Sequence, residues 1–170
     1  VITSDYELYK PNRDPKAVLI LFGGFPEKAE DIRREFKILK KAKEQEIAVL
    51  LSNYNKKLWL EGQEEKALAK KLQEILTKHN LPNRNIYFGG FSSGGNVSLL
   101  IGDFLSKNNE YGLSPKGIFI ADSPIDLTAL YLSAEKNIER DFSKVSVQEG
   151  HFIIEKLGAR FGNPNKDLEK

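Results

Sequence analysis

The residues best suited to chemistry lie in one short stretch, IYFGGFSSGG, at residues 86–95. Its centre, Gly90-Phe91-Ser92-Ser93-Gly94, matches the pattern G-x-S-x-G. An apolar, β-prone run enters the pattern, and a run with helical spacing leaves it. At such a turn a serine is held with a strained backbone, its hydroxyl exposed beside a helix N-terminus that stabilises negative charge. The pattern therefore predicts a nucleophilic Ser92; the alternative is a glycine-rich turn with Ser92 or Ser93 as a helix N-cap.

Other chemistries find little support in the sequence. A dinucleotide fingerprint needs glycine where Ser92 stands, and a phosphate-binding Walker loop needs Lys-Ser/Thr where Gly95-Asn96 stands. The chain has no Cys, and no His, Asp and Glu residues stand at metal-ligand spacing. We expect no metal and no organic cofactor.

The amino-acid composition limits the kinds of partner that the sequence predicts. The 170 residues carry 26 basic and 24 acidic side chains, well mixed, so no basic stripe predicts nucleic-acid binding. No apolar run approaches the roughly 18 residues that a membrane span needs. The chain starts at Val1 without Met or a signal-like segment, which indicates a processed or trimmed N-terminus and leaves the compartment open, export included.

Strand-like and helix-like segments alternate along most of the chain. Continuous apolar runs predict buried strands, and amphipathic runs between them predict helices. This order indicates an α/β fold, a mostly parallel sheet with helices on both faces, with a possible antiparallel edge strand at the start. The predicted strands are 17–22, 47–52, 85–90 and 117–122, the predicted helices are 30–45, 61–80 and 95–105, and the edge strand is 2–10.

The alternation stops after Asp122. Helices are predicted near 127–136, with Asp126 as N-cap, and near 147–161, where Ser146 and Glu149 stand at capping-box spacing. The tail from residue 162 is predicted to be a polar loop. We therefore expect an α/β core over 1–126 and a helical cap or insertion over 127–170.

These segments resemble the α/β-hydrolase-fold esterases and lipases, particularly those whose nucleophile elbow runs G-x-S-x-G-G-N. The resemblance covers about residues 17–126: LILFGGFP is similar to the strand and loop that carry the oxyanion-hole glycines, with Phe22 where a His is usual. GGFSSGGN is similar to the elbow, and GIFIADSPID to the next strand and the loop toward a cap. The resemblance implies a three-layer fold and a serine esterase.

The resemblance also implies roles for individual residues. Ser92 is the nucleophile, and the oxyanion hole uses the backbone N–H of Ser93 with that of Gly24 or Phe25. Asp122, at the end of the strand after the elbow, is a candidate for the triad acid or a loop-capping carboxylate.

The family's order of Ser, then acid, then His leaves the base in question. Of the two histidines, His79 precedes Ser92 and is expected to be structural or partly exposed. His151 follows it within a predicted helix and is either a base or a helix-surface residue.

Two aromatic residues, Tyr54 and Trp59, follow a predicted strand and either line a substrate pocket or are buried under a loop. The expected function is hydrolysis of carboxylic esters or related acyl bonds through an acyl-enzyme on Ser92, with a small-molecule substrate. Because a later acid and His are missing, we expect these 170 residues to be the N-terminal part of a longer enzyme and nearly inactive alone. The alternatives are a dead relative serving as a binding or structural protein, and a peptidase or thioesterase of the same fold; the oligomeric state stays open.

Overall fold

A computed structural model describes residues 1–54 and 58–167. It divides into two compact units, Val1–Ser123 and Pro124–Lys170. The first unit contains the sheet and the second contains only helices in its described part. Among the described residues, no helix combines the length and the hydropathy needed to cross a bilayer.

The first unit is built on a five-stranded sheet with the order β1-β3-β2-β4-β5. β1 pairs antiparallel with β3 at one edge, and the other neighbours pair in parallel. The strands are β1 (Tyr6–Tyr9), β2 (Ala17–Phe22), β3 (Ile47–Ser52), β4 (Ile86–Phe91) and β5 (Pro115–Ala121). The α/β class, the mostly parallel sheet and the antiparallel edge strand are thus confirmed.

Helices cover both faces of the sheet. α1 (Ala29–Glu35) and α2 (Leu39–Glu44) pack on one face, and α3 (Gln63–Lys78) and α4 (Ser93–Lys107) on the other. Along β2 the side chains alternate between the two cores, since Leu19 and Leu21 face α1 and α2 while Ile20 and Phe22 face α3 and α4. This alternation explains why the central strands read as continuous apolar runs.

The single helix predicted over 30–45 is wrong. The chain leaves helical geometry at Phe36, which has φ −101° and ψ 94°, and re-enters it at α2. The Phe36 ring packs edge-on against Phe91, with 5.0 Å between centroids, and lies 6.2 Å from Phe119. The break therefore places the Phe36 ring against Phe91, the residue that precedes Ser92.

The second unit contains α5 (Leu127–Arg140), α6 (Lys144–Phe161) and α7 (Pro164–Asp167). Asp126 caps α5 as predicted, because its Oδ1 accepts from the N–H of Ala129 at 2.9 Å. The capping box predicted at Ser146 is wrong: Ser143 is the N-cap of α6, and its Oγ accepts from the N–H of Ser146 at 3.1 Å. The tail is also not all loop, since α7 begins at Pro164, a residue favoured in the first helical turn.

Candidate active site

Ser92 occupies the turn between β4 and α4. Its backbone has φ 50° and ψ −128°, a region that costs a non-glycine residue about 1–3 kcal/mol. Two backbone hydrogen bonds hold it there: its N–H donates to the carbonyl of Ala121 at 3.0 Å, and its carbonyl accepts from the N–H of Gly95 at 3.0 Å. The side chain is exposed to solvent. The strained turn therefore presents the hydroxyl at the carboxyl end of the sheet.

The glycines on either side of Ser92 are required by close packing. A Cβ atom on Gly90 would overlap the carbonyl group of Gly94, and one on Gly94 would overlap the carbonyl oxygens of Phe22 and Gly23. α4 thus begins in direct backbone contact with the end of β2. The spacing in G-x-S-x-G follows from this contact, since any side chain at either position would push the helix away from the strand.

The loop after β2 lies directly beside Ser92. A Cβ atom on Gly24 would stand 3.0 Å from Cβ of Ser92. The Phe25 N–H donates to Oγ of Ser93 at 2.8 Å, which ties this loop to the first residue of α4. Ser93 is buried, and at the first position of a helix its own N–H has no intrahelical acceptor.

Gly24 contacts Glu27, a residue that sequence reasoning did not single out. Its N–H donates to Oε2 of Glu27 at 2.7 Å, and the N–H of Glu27 donates back to the Gly24 carbonyl at 2.6 Å. Glu27 is half-buried. The spacing of three residues is the only signal in the sequence for this turn, and it does not distinguish such a contact from an exposed glutamate.

Asp122 follows β5 immediately and adopts φ 52°, a left-handed conformation that Asp tolerates better than most residues. Its neighbour Ala121 provides the carbonyl that receives the Ser92 N–H, so Asp122 is adjacent to the elbow along the chain. The side chain is exposed, and within the described residues its carboxylate makes no hydrogen bond or ion pair. A role as triad acid stays a prediction.

His79 lies away from the elbow. It is the C-cap of α3, and its partner Tyr6 lies on the edge strand β1, three strand spacings or about 14 Å from β4 across the sheet. Its Nε2 and the Tyr6 hydroxyl are 2.8 Å apart. Burial, followed by the positive charges of Lys78, Lys10 and the N-terminus, lowers the pKa of His79. His151 belongs to α6 of the second unit and is exposed, and its role as a base stays a prediction.

Tyr54 and Trp59 lie on either side of residues 55–57, which fall outside the described residues. Tyr54 is half-buried against the core under α3, and burial, with a smaller effect of Glu64, raises its pKa to about 12. The Trp59 indole N–H donates to Oε1 of Glu61 at 2.9 Å. Their role in substrate binding stays a prediction.

No protein-family model matches the chain, and no curated protein sequence does so either. Solved structures do. An esterase from the bacterial hormone-sensitive lipase family is 19% identical and matches 94% of this chain and 54% of its own, with a TM-score of 0.62. The Francisella virulence factor BioJ is 17% identical and matches 73% of this chain and 44% of its own, with a TM-score of 0.52.

MenH from S. aureus is 14% identical, with 86% and 56% covered and a TM-score of 0.50. The chain therefore spans about half the length of the structures it matches. At these identities the likeness concerns the fold, and the sheet order, the helices on both faces of the sheet and the turn at Ser92 agree with it. The chain has the α/β-hydrolase fold.

Proposed function

We propose that the protein is a serine hydrolase of carboxylic esters or related acyl bonds, with Ser92 as nucleophile. The observation that carries the proposal is the backbone of Ser92, a non-glycine residue at φ 50° whose exposed hydroxyl stands at the N-terminus of a helix and beside Gly24. A turn that served only to connect β4 and α4 would relax this conformation by placing glycine there. The strain is consistent with a serine that acts on a substrate.

The proposed reaction is acyl transfer in two steps. Oγ of Ser92 attacks the substrate carbonyl, its proton passes to a base, and the carbonyl oxygen becomes an oxyanion. The intermediate expels the alcohol, which takes the proton from the base, and water then hydrolyses the acyl-enzyme. The N–H of Ser93 and that of Gly24 are the donors proposed for the oxyanion: the Phe25 N–H is bonded to the buried Ser93 Oγ, whereas the Gly24 N–H is bonded to the half-buried side chain of Glu27, which can move away.

The base is proposed to be a histidine other than His79, whose ring nitrogen is engaged with Tyr6 on the edge strand β1, three positions from β4 in the sheet. We propose a histidine outside these 170 residues and keep His151 as the alternative within them. Asp122 is the candidate acid. On this proposal the 170-residue chain alone turns over ester slowly or not at all.

A second candidate is a non-catalytic binding protein on the same scaffold. The observation that favours it is that two successive backbone N–H groups of the loop after β2, those of Gly24 and Phe25, are bonded to side chains of this chain. A protein that had lost catalysis could keep its elbow in this closed arrangement. The two candidates differ in whether Ser92 forms a covalent acyl adduct.

The test is acylation by p-nitrophenyl acetate followed by peptide mass spectrometry. We expect one acetyl group on the peptide that carries Ser92, lost in Ser92→Ala and kept in Ser106→Ala, a control that removes an exposed serine from the far end of α4. The chain lacks Cys, so no thiol competes. The experiment is run on this chain and on the protein from its full reading frame. Absence of the adduct from both would favour the binding protein.

A further inference from the structure

Glu27 places a carboxylate on a backbone N–H that the proposed mechanism needs. The Gly24 N–H donates to Oε2 of Glu27 at 2.7 Å. A Cβ atom on Gly24 would lie 3.5 Å from that same oxygen and 3.0 Å from Cβ of Ser92. An anionic oxygen and the nucleophile therefore flank one and the same glycine.

The contact is built into a closed turn. Besides the Gly24 N–H bond to the side chain, the Glu27 N–H donates to the Gly24 carbonyl at 2.6 Å, so the turn is bonded in both directions. Hydrogen bonds from an N–H to a carboxylate are roughly twice as strong as those between neutral groups. Within the described residues no Lys or Arg pairs with Glu27. Its carboxylate is therefore stabilised by the hydrogen bond from this N–H and not by a cation.

The next N–H along this loop, that of Phe25, offers no substitute. The Phe25 N–H is bonded to the buried Ser93 Oγ, which fixes the loop against α4. Of these two N–H groups, that of Gly24 is the one that can donate to a substrate. It can do so only after the Glu27 carboxylate has moved away. Two anionic oxygens, one from Glu27 and one from a tetrahedral intermediate, cannot share a single N–H donor.

From this geometry we infer that Glu27 regulates the site: its carboxylate stands in for the oxyanion on the Gly24 N–H and holds the site closed until it is displaced. The inference rests on the proposed function of Ser92 and extends it. Replacing the carboxylate by a neutral amide weakens the occupying bond, and removing it frees the donor. The ordinary alternative is that Glu27 serves only to stabilise the turn.

The first test measures the contact itself, without reference to catalysis. The protein from its full reading frame is labelled with 15N-glycine, and the Gly24 amide is followed in the wild type, Glu27→Gln, Glu27→Ala and Glu30→Gln. Glu30 is an exposed glutamate on α1 and serves as a matched control. We expect the Gly24 amide proton to move upfield in both Glu27 variants and to stay in place in the control. An unmoved Gly24 amide in Glu27→Ala would overturn the inference.

The second test measures whether the Glu27 carboxylate slows reaction at Ser92. The rate at which a fluorophosphonate labels Ser92 is expected to rise about tenfold in Glu27→Gln and Glu27→Ala, and to equal the wild-type rate in Glu30→Gln. Urea unfolding of each variant separates this effect from loss of structure. If Glu27 only stabilises the turn, Glu27→Gln, which keeps an acceptor oxygen, labels at the wild-type rate and Glu27→Ala labels more slowly; that result refutes the inference.

A third measurement separates failure of the inference from failure of the proposed function. If no variant is labelled, Ser92 is not a nucleophile and the proposed function fails. Phenylphosphonate is then titrated while the Gly24 amide is observed. The inference requires the anion to perturb Gly24 in the Glu27 variants and not in the wild type. Equal perturbation in all proteins, or none in any, would reject it.

Discussion

Replacing Gly94 by alanine tests the packing that creates the elbow. A Cβ atom there would overlap the carbonyl oxygens of Phe22 and Gly23, which are backbone atoms at the end of β2 and cannot rotate away. Overpacking costs about 1–3 kcal/mol, and overlap with backbone atoms belongs at the upper end of that range; alanine regains about 0.5–1 kcal/mol of helix propensity because Gly94 lies in the first turn of α4. We therefore expect Gly94→Ala to lower the free energy of unfolding by about 2 kcal/mol.

The measurement is urea unfolding followed by the fluorescence of Trp59, the one tryptophan of the chain, which lies in the first unit. The matched control is Gly117→Ala in β5, where the new Cβ would lie 3.3 Å from Cδ1 of Tyr87. That ring is 43% exposed and can move, so the control should shift stability by less than about 0.5 kcal/mol. Gly94→Ala with the stability of the wild type would refute the argument that backbone contact dictates this glycine.

Three further predictions concern the rest of the chain. Because burial and neighbouring positive charges lower the pKa of His79, the folded state favours the neutral ring. Its contribution to stability is full above the ordinary histidine pKa of about 6.5 and is lost as the pH falls below that value through the lowered pKa of the folded state, and His79→Gln should flatten that decline in urea unfolding. Asp126→Ala should destabilise α5 by about 1 kcal/mol through loss of the N-cap bond, visible as lower helicity by circular dichroism, whereas Asp126→Asn should retain it. β5 is an edge strand of the described sheet, so we expect the protein to self-associate with rising concentration in sedimentation velocity; a sedimentation coefficient that does not change with concentration would argue against pairing at that edge.

The sheet and the elbow could be predicted because their signals are local. β2, β3 and β4 are continuous apolar runs, and the glycines around Ser92 reflect backbone contacts that any sequence with this turn must satisfy. The antiparallel edge strand was also predictable, since its apolar residues alternate with polar ones.

The parts that sequence reasoning missed depend on distant partners. α1 ends at Phe36 because that ring packs on Phe91 and Phe119, which are remote in the chain. Likewise, His79 is paired with Tyr6, 73 residues away. Helical periodicity carries no information on either contact.

Two features were not predicted because neighbouring residues offer competing local contacts: the N-cap of α6 and the bond between Gly24 and Glu27. Ser143 and Ser146 are both suitable N-caps, and the chain uses the earlier one while Ser146 supplies the N–H that is capped. The bond between Gly24 and Glu27 depends on a side-chain rotamer, which composition and spacing do not specify. Such details decide the chemistry of a site more than its fold does.

The most direct test of the central claim is labelling by a fluorophosphonate probe of the protein expressed from its full reading frame, with Ser92→Ala and Ser106→Ala as paired variants. We expect the probe to add to the peptide that carries Ser92, Ser92→Ala to abolish the label, and Ser106→Ala to leave it unchanged. A protein that takes up no probe, or one whose labelling survives Ser92→Ala, would contradict the assignment of Ser92 as a nucleophile.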